Sequence, residues 1–360
     1  MKKILIVGGT WNENGGMPSS IIKKMASAMN VARTYNGGDF NKLQTIIETT
    51  PKYDYIFWFA NVEDNSLEKI RNVKDYAPKS LLITSKRNDN NKYTYEELLQ
   101  RALSQKANLC FEFSKVADKL FNIKVFDPLG CVWYNGTDIN GAIRATVSRL
   151  DYLSSVTRKP SVQNASDITV EFNENDKKFL AFIKSSANKF HELMCLPAHV
   201  DRFVGNASLR FKEPTRCMSG FPAIRKDNMI LMSRRNVDKT GISEKDFVPC
   251  FLNDNGNVEY FGENKPSVDS PVQVRIFNQF PNIDYILHGH VYIKDAPMTS
   301  IAIPCGALEE IDEVTKYLDK ETKFAVLNLK GHGCLILANS DELDKMNEVE
   351  FVCRPIPEFM

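Results

Sequence analysis

The segment "KPSVDSPVQVRIFNQFPNIDYILHGH", residues 265–290, decides how the second half of this chain is read. It opens with a helix-start signal, because Asp269 or Ser270 stands just before Pro271, and short polar caps followed by proline mark the first turn of a helix. After Phe280-Pro281 comes an apolar run that ends in His288-Gly289-His290. The whole 360-residue chain has only five histidines. In a strand, residues i and i+2 point to one face, about 6.6 Å apart along the chain. His288 and His290 therefore aim both rings at one point, and Gly289 keeps the opposite face free of bulk. Histidine nitrogens bind Zn²⁺ at about 2.0–2.1 Å, and catalytic zinc usually takes three protein ligands and keeps one position open. A third candidate is His332 in "FAVLNLKGHGCLILA" (324–338), set between two glycines at a turn joining two apolar strands. Paired strand histidines are more often hydrogen-bonded structural residues, so the surrounding blocks must decide.

Those blocks resemble the class II aldolase/adducin superfamily. The features in common are Pro-Ser-x-Asp-Ser-Pro, an amphipathic helix, Phe-Pro-x-Ile and an apolar strand ending His-x-His. Upstream, "RFVGNASLRF" (202–211) is similar to the family's Gly-Asn-x-Ser-x-Arg strand, and "MILMSRRNVDKTGISEKDFVPC" (229–250) to its next strand-and-turn block. Downstream, "IPCGALEE" and "LKGHGCLILANSDEL" follow in the family's order. The similarity covers about residues 175 to 345. Members include zinc-dependent fuculose- and rhamnulose-phosphate aldolases, ribulose-5-phosphate 4-epimerases, a dehydratase of methylthioribulose phosphate, and the non-catalytic adducin branch.

The resemblance implies an α/β/α domain with a mainly antiparallel sheet. It also implies Zn²⁺ or another divalent ion on His288, His290 and His332, and a carbon–carbon lyase acting on a phosphorylated or anionic sugar through an enediolate. Asp269 stands where the aldolases carry a catalytic glutamate and the 4-epimerases an aspartate, so it is the candidate general acid/base. The same residue is also a candidate helix cap. Asn206, Ser208, Ser233 and Ser267 match the positions that hold the substrate's phosphate. The middle phosphate loop departs from the family: "SRRNVDK" puts Arg234, Arg235 and Lys239 where relatives have a small Gly-containing turn. Arginine suits bidentate anion recognition, and the same cations also suit a solvated basic turn. Relatives use a C-terminal tyrosine as proton donor, whereas the tail "NEVEFVCRPIPEFM" (347–360) has none and Tyr317 is the last tyrosine. A homo-oligomer, such as a tetramer, is implied. The alternatives left open are a sugar-phosphate 4-epimerase and a non-catalytic adducin-like module with a nucleotide-binding first half.

The first half reads differently. "KKILIVG" is a continuous apolar run bounded by glycine, which suits a strand buried on both faces. "DYIFWFA" (54–60), "KSLLITS" (79–85), "NLCFEF" (108–113) and "KVFDPLGCVWY" (124–134) are further strand candidates, interleaved with helical patterns at 19–30, 95–105 and 139–154. Alternation of buried strands and helices predicts a Rossmann-like, doubly wound parallel sheet. The loop "VGGTWNENGGMPSSI" (7–21) follows the first strand and opens the first helix, where backbone N–H groups can hold an anion. Gly8, Gly9, Thr10, Gly15, Gly16 and Ser19 are the ligand candidates there, with a nucleotide as one reading and an unliganded turn as the other. The polar stretch "VTRKPSVQNASD" (156–167) lacks periodicity. The expected organisation is a Rossmann-like domain over 1–157, a linker over 158–168 and the aldolase-like domain over 169–360.

Composition narrows the partners. Lys and Arg total 46 against 45 Asp and Glu, which argues against a broad nucleic-acid footprint. No apolar run approaches the roughly 18–20 residues of a membrane span. The eight cysteines show no CxxC and read as buried thiols of a reducing, cytoplasmic compartment. His191 and His199 read as packing or capping residues.

Overall fold

The computed structural model describes residues 4–10, 20–29, 33–36, 55–61, 80–164, 170–193, 205–211, 229–353 and 358–359. The chain divides into two compact units, residues 1–155 together with 355–360, and residues 156–354.

In the first unit the order is β1 (Ile4–Thr10), α1 (Ser20–Met29), β2 (Arg33–Asn36), β3 (Tyr55–Asn61), β4 (Ser80–Arg87), α2 (Tyr95–Ser104), β5 (Leu109–Ala117), β6 (Leu120–Phe126), β7 (Cys131–Gly136) and α3 (Ile139–Ser155). The sheet runs β2-β1-β3-β4-β5-β6-β7. It is parallel from β2 to β5 and antiparallel from β5 to β7. Ile22 and Met25 of α1 pack with Ala142, Ile143 and Leu150 of α3 on one face, against Ile4, Ile6 and Leu109. Leu98 and Ala102 of α2 cover the other face with Cys110 and Phe126. Helices therefore lie on both faces, as the alternation of strands and helices predicts. Thr94 starts α2 with a reciprocal capping box, its hydroxyl accepting from Glu97 N while Glu97 Oε2 accepts from Thr94 N.

Two local expectations are corrected here. "KVFDPLGCVWY" is not one strand, because Asp127 turns the chain between β6 and β7: its Oδ1 accepts the N–H groups of Leu129 and Cys131. Gly8, Gly9 and Thr10 are not a free loop but the last residues of β1, paired with Phe59, Ala60 and Asn61 of β3. Gly15, Gly16 and Ser19 lie outside the described residues, as does His199.

The second unit begins with β8 (Ser161–Asn164) and α4 (Glu174–Leu193), then β9 (Asn206–Arg210), β10 (Ile230–Ser233), β11 (Phe247–Leu252), β12 (Val258–Phe261) and α5 (Ser270–Gln279). It continues with β13 (Tyr285–Gly289), β14 (Tyr292–Ile293), α6 (Glu309–Val314), β15 (Phe324–Leu329), β16 (Gly333–Ala338) and β17 (Phe351–Val352). The main sheet runs β15-β16-β13-β9-β10-β11-β12-β8, antiparallel except for β8, which pairs parallel with β12. Residues 161–164 are thus a sheet edge, although the sequence placed them in a linker. The polarity that made them look like linker is what an edge strand tolerates.

The sheet is the middle layer of three. Phe179, Ile183 and Phe190 of α4 pack on one face with Ala207, Leu209 and Leu287. Val272, Ile276 and Phe277 of α5 and Ile311 and Val314 of α6 pack on the other with Ile230, Met232 and Ile286. Burying side chains of this size stabilises by about 1.5–3 kcal/mol each relative to exposure. After residue 354 the chain returns to the first unit, where β18 (Glu358–Phe359) pairs parallel with β7. The sequence reading, by contrast, ran the second domain through 360. Among the described residues no helix is long and apolar enough to cross a membrane.

Candidate active site

Antiparallel pairing brings the functional residues to one end of the second sheet. His288 is the penultimate residue of β13 and faces Asn206, the first residue of β9, in register. Ser233 ends β10 beside the same start of β9, and His332 immediately precedes β16, which runs back along β13. Residues 206, 208 and 210 share one face of β9 by the period of two, and that face meets α5. Arg210 donates to the carbonyls of Phe277, Phe280 and Ile283, fixing the far end of α5. The near end of α5 then presents Asp269 to the histidines.

The three imidazoles converge. Ring centroids are 5.0 Å apart for His288 and His290, 4.6 Å for His288 and His332, and 5.2 Å for His290 and His332. All three are buried, and one ligating nitrogen of each lies within 4.8 Å of the others. Glycines permit this approach. A Cβ on Gly289 would fall 2.6 Å from the Phe190 ring, so the face opposite the histidines is filled by α4. Gly333, at φ +150°, leaves no room for a side chain either, since a Cβ there would meet Gly289 O at 1.9 Å.

Two of the rings are oriented from behind. His288 Nδ1 lies 2.9 Å from Cys334 O. A carbonyl only accepts, so Nδ1 carries the proton and Nε2 offers its lone pair. That Nε2 is buried without a hydrogen-bond partner, an arrangement that costs about 1–3 kcal/mol when left uncompensated. Burial, then the charge on His332, holds the His288 pKa well below its ordinary value, which keeps the lone pair available. His332 Nδ1 lies 3.0 Å from Glu310 Oε2, and its Nε2 lies 2.9 Å from Cys305 Sγ. Burial works against its imidazolium, but Cys305 and Glu310 together outweigh that and hold its pKa well above the usual histidine range. The carboxylate–histidine pair is the usual support of a metal-ligating imidazole.

Asp269 is buried, and its side chain makes no helix-cap hydrogen bond. Its Oδ2 instead accepts from Asn206 Nδ2 at 2.6 Å. Burial pushes its pKa up to about 6, with the His332 charge and the Asn206 hydrogen bond pulling down and Glu310 pushing up. Behind Asn206 stands Gln273, whose Nε2 donates to Asn206 Oδ1 at 2.6 Å and whose Oε1 accepts from Ser208 Oγ. A chain of side chains from Ser208 to Asp269 thus fixes the carboxylate.

The structure separates the three cations of the "SRRNVDK" turn. Arg234 Nε is held by Asp246 Oδ1 at 2.7 Å, and Arg235 is exposed. Lys239 is buried and acts electrostatically on both Asp269 and His288. Burial lowers its pKa to about 8, against the charges of Asp238 and Asp269. The serine hydroxyls are engaged locally: Ser233 Oγ accepts from Ala207 N at 3.1 Å, and Ser267 Oγ accepts from Asp269 N at 3.5 Å. Tyr317 is away from these groups in its bonding, its hydroxyl donating to Met298 O. His191 ends α4. Sequence reasoning missed Cys305, Glu310 and Gln273. Of these only Gln273 carried a usable signal, its i+4 spacing from Asp269 on a helix.

The donor set suits a divalent ion of the zinc type: three converging imidazoles, two of them with Nδ1 held from behind, an unpartnered buried Nε2 on His288, and a carboxylate beside them. Residues 189–296 match the family model described as the Class II Aldolase and Adducin N-terminal domain. The second unit therefore carries a class II aldolase-type domain, and the match includes Asn206, Lys239, Asp269, His288 and His290 but ends before Cys305, Glu310 and His332. Among solved structures, an L-fuculose 1-phosphate aldolase is similar at 19% identity over 49% of this chain and 90% of that one, with a TM-score of 0.31. The YgbL protein of Klebsiella pneumoniae is similar at 14% identity over 48% and 82%, with a TM-score of 0.32. A DNA/pantothenate metabolism flavoprotein of Streptococcus pneumoniae is similar at 11% identity over 42% and 99%, with a TM-score of 0.31. No curated protein sequence matches the chain.

Proposed function

We propose that the second unit is a divalent-cation-dependent lyase that cleaves a phosphorylated or otherwise anionic sugar through an enediolate. The observation that carries this reading is the convergence of His288, His290 and His332 around an unpartnered, buried Nε2. A divalent cation at such a centre polarises a carbonyl and stabilises negative charge on an enediolate oxygen. His288 and His332 would hold it through Nε2, each kept in the right tautomer by Cys334 O and Glu310. Asp269 would move the proton, because a carboxyl with a pKa raised to about 6 is partly in each protonation state near neutrality. Lys239 would meet the anionic end of the substrate, with Asn206, Ser208, Ser233 and Ser267 around it. Burial of Lys239 strengthens its interaction with an anion by removing competing water.

A second reading, a 4-epimerase, is favoured by one observation. The acid/base position holds aspartate, one methylene shorter than the glutamate of the aldolases. Metal content of the purified protein tests the reading: about one zinc per chain is expected, falling to near zero in His290→Ala. Retained metal in that variant would sink it. Assay of sugar phosphates for aldehyde release, against inversion without cleavage, then separates lyase from epimerase. An adducin-like role requires neither metal nor turnover. A homo-oligomer is part of the proposal, and sedimentation measures it.

A further inference from the structure

Cys305 is not among the residues the proposed reaction uses, yet its sulfur touches one of the three histidines. Its Sγ lies 2.9 Å from His332 Nε2, the nitrogen that the metal reading assigns to the cation. The placement is built into the fold. Gly306 adopts φ +70°, and a Cβ there would strike Val268 O at 2.6 Å, so the turn carrying Cys305 is pressed against the residue before Asp269. Ala307 N closes the turn on Pro304 O at 3.2 Å. As a result one ligand atom each of Asp269, Cys305 and His332 lie within 4.8 Å of one another, a second donor set that shares His332 with the three-imidazole set. An independent observation points to a ligand beside it: His288, 1% exposed, has a ring nitrogen within 4.8 Å of one on His332, and its Nε2 is buried without a partner while its other nitrogen is tied to Cys334 O.

We infer that Cys305 supplies a thiolate ligand to the divalent cation of the histidine site, so that the resting centre binds metal through sulfur as well as nitrogen. The inference rests on the metal reading above and deepens it. On coordination the thiol proton leaves to solvent, as metal binding requires of any cysteine ligand. Sulfur has two consequences. Thiolate favours zinc and other soft ions over magnesium and manganese, which prefer oxygen. It also fills a position that a catalytic centre must open, so the substrate's oxygens enter by displacing Cys305. The half-buried sulfur, on a turn and not on a strand, is free to leave in a way the strand-borne histidines are not.

Cobalt substitution of the full-length protein tests this without reference to activity. Metal-free protein titrated with Co²⁺ should show visible ligand-field bands together with a near-ultraviolet sulfur-to-cobalt charge-transfer band. In C305S the charge-transfer band should disappear while the visible bands remain. Visible bands without the sulfur band in the wild type would leave the metal reading intact and overturn the thiolate. So would a sulfur band that survives in C305S. No visible bands at all would remove the metal reading and this inference with it. If C305S loses every band, the unmodified protein decides. Zinc should protect Cys305 from iodoacetamide, as mapped on its peptide, while the exposed Cys353 reacts equally with and without metal. Equal labelling of Cys305 in both conditions would overturn the inference.

Discussion

At the residue scale the site is governed by what burial does to charge. Asp269 is held by Asn206 and desolvated, so its carboxyl sits at about 6 and not near 4. Asp269→Asn keeps the shape and the Asn206 contact but removes the transferable proton. It should lower turnover of whichever sugar phosphate the protein accepts by about 10²–10⁴-fold, with an unchanged circular-dichroism spectrum as the control. Lys239 gives a pH signature with a defined sign. Its pKa is about 8 folded against an ordinary 10.5. Below pH 8 both states are protonated and the cost of burying the charge is fully present. Between pH 8 and 10.5 the unfolded chain binds more protons, so this group makes stability rise with pH. Lys239→Met should therefore be more stable than the metal-free wild type near pH 7, by up to roughly 3 kcal/mol, and should lack that alkaline rise in urea titrations across pH 7 to 10. The residues that sequence made legible were those with a period behind them. His288 and His290 stood out because two apart on a strand means one face. Cys305 and Glu310 had no such signal, since a turn and a one-and-a-half-turn helix bring them to His332 only through tertiary packing.

At the scale of elements, the end of β13 works because two neighbours have no side chain. Gly289 lets the Phe190 ring of α4 approach the strand closely, and Gly333 lets β16 start against Gly289 O. Gly333→Ala places a methyl at 1.9 Å from that carbonyl, which the backbone must move to avoid. A loss of at least about 2–3 kcal/mol, in the range of strained and overpacked sites, is expected in denaturant midpoints, together with loss of bound metal. An unchanged midpoint would show that β13 and β16 do not approach as described. α5 was legible from its Pro271 start, and its role was open between capping and chemistry. Asp269 stands at the N-cap position, but its side chain makes no cap hydrogen bond and turns to Asn206. β8 was not legible. A short polar run after a proline has the composition of a linker, and only pairing with β12 distinguishes an edge strand from one.

For the whole molecule, metal binding should register in stability. A ligand that binds only the folded state adds about 2.7 kcal/mol at a hundredfold excess over Kd. Zinc should thus raise the thermal transition of the second unit, a chelator should reverse the rise, and neither should act on His288→Ala or His332→Ala. Two units make two transitions possible, so calorimetry and not a single optical melt is the suitable measurement. The return of the chain after residue 354 carries a different consequence. Residues 156–354 leave and rejoin the first unit through separate crossings, and β18 joins β7 only from the far side of that excursion. During synthesis the first sheet can assemble through β7 early, but its last strand arrives only after the whole aldolase-type unit has been made. Ribosome-stalled chains ending before residue 358 should therefore leave the outer backbone groups of β7 open to solvent exchange, and their protection times the passage of synthesis beyond β18.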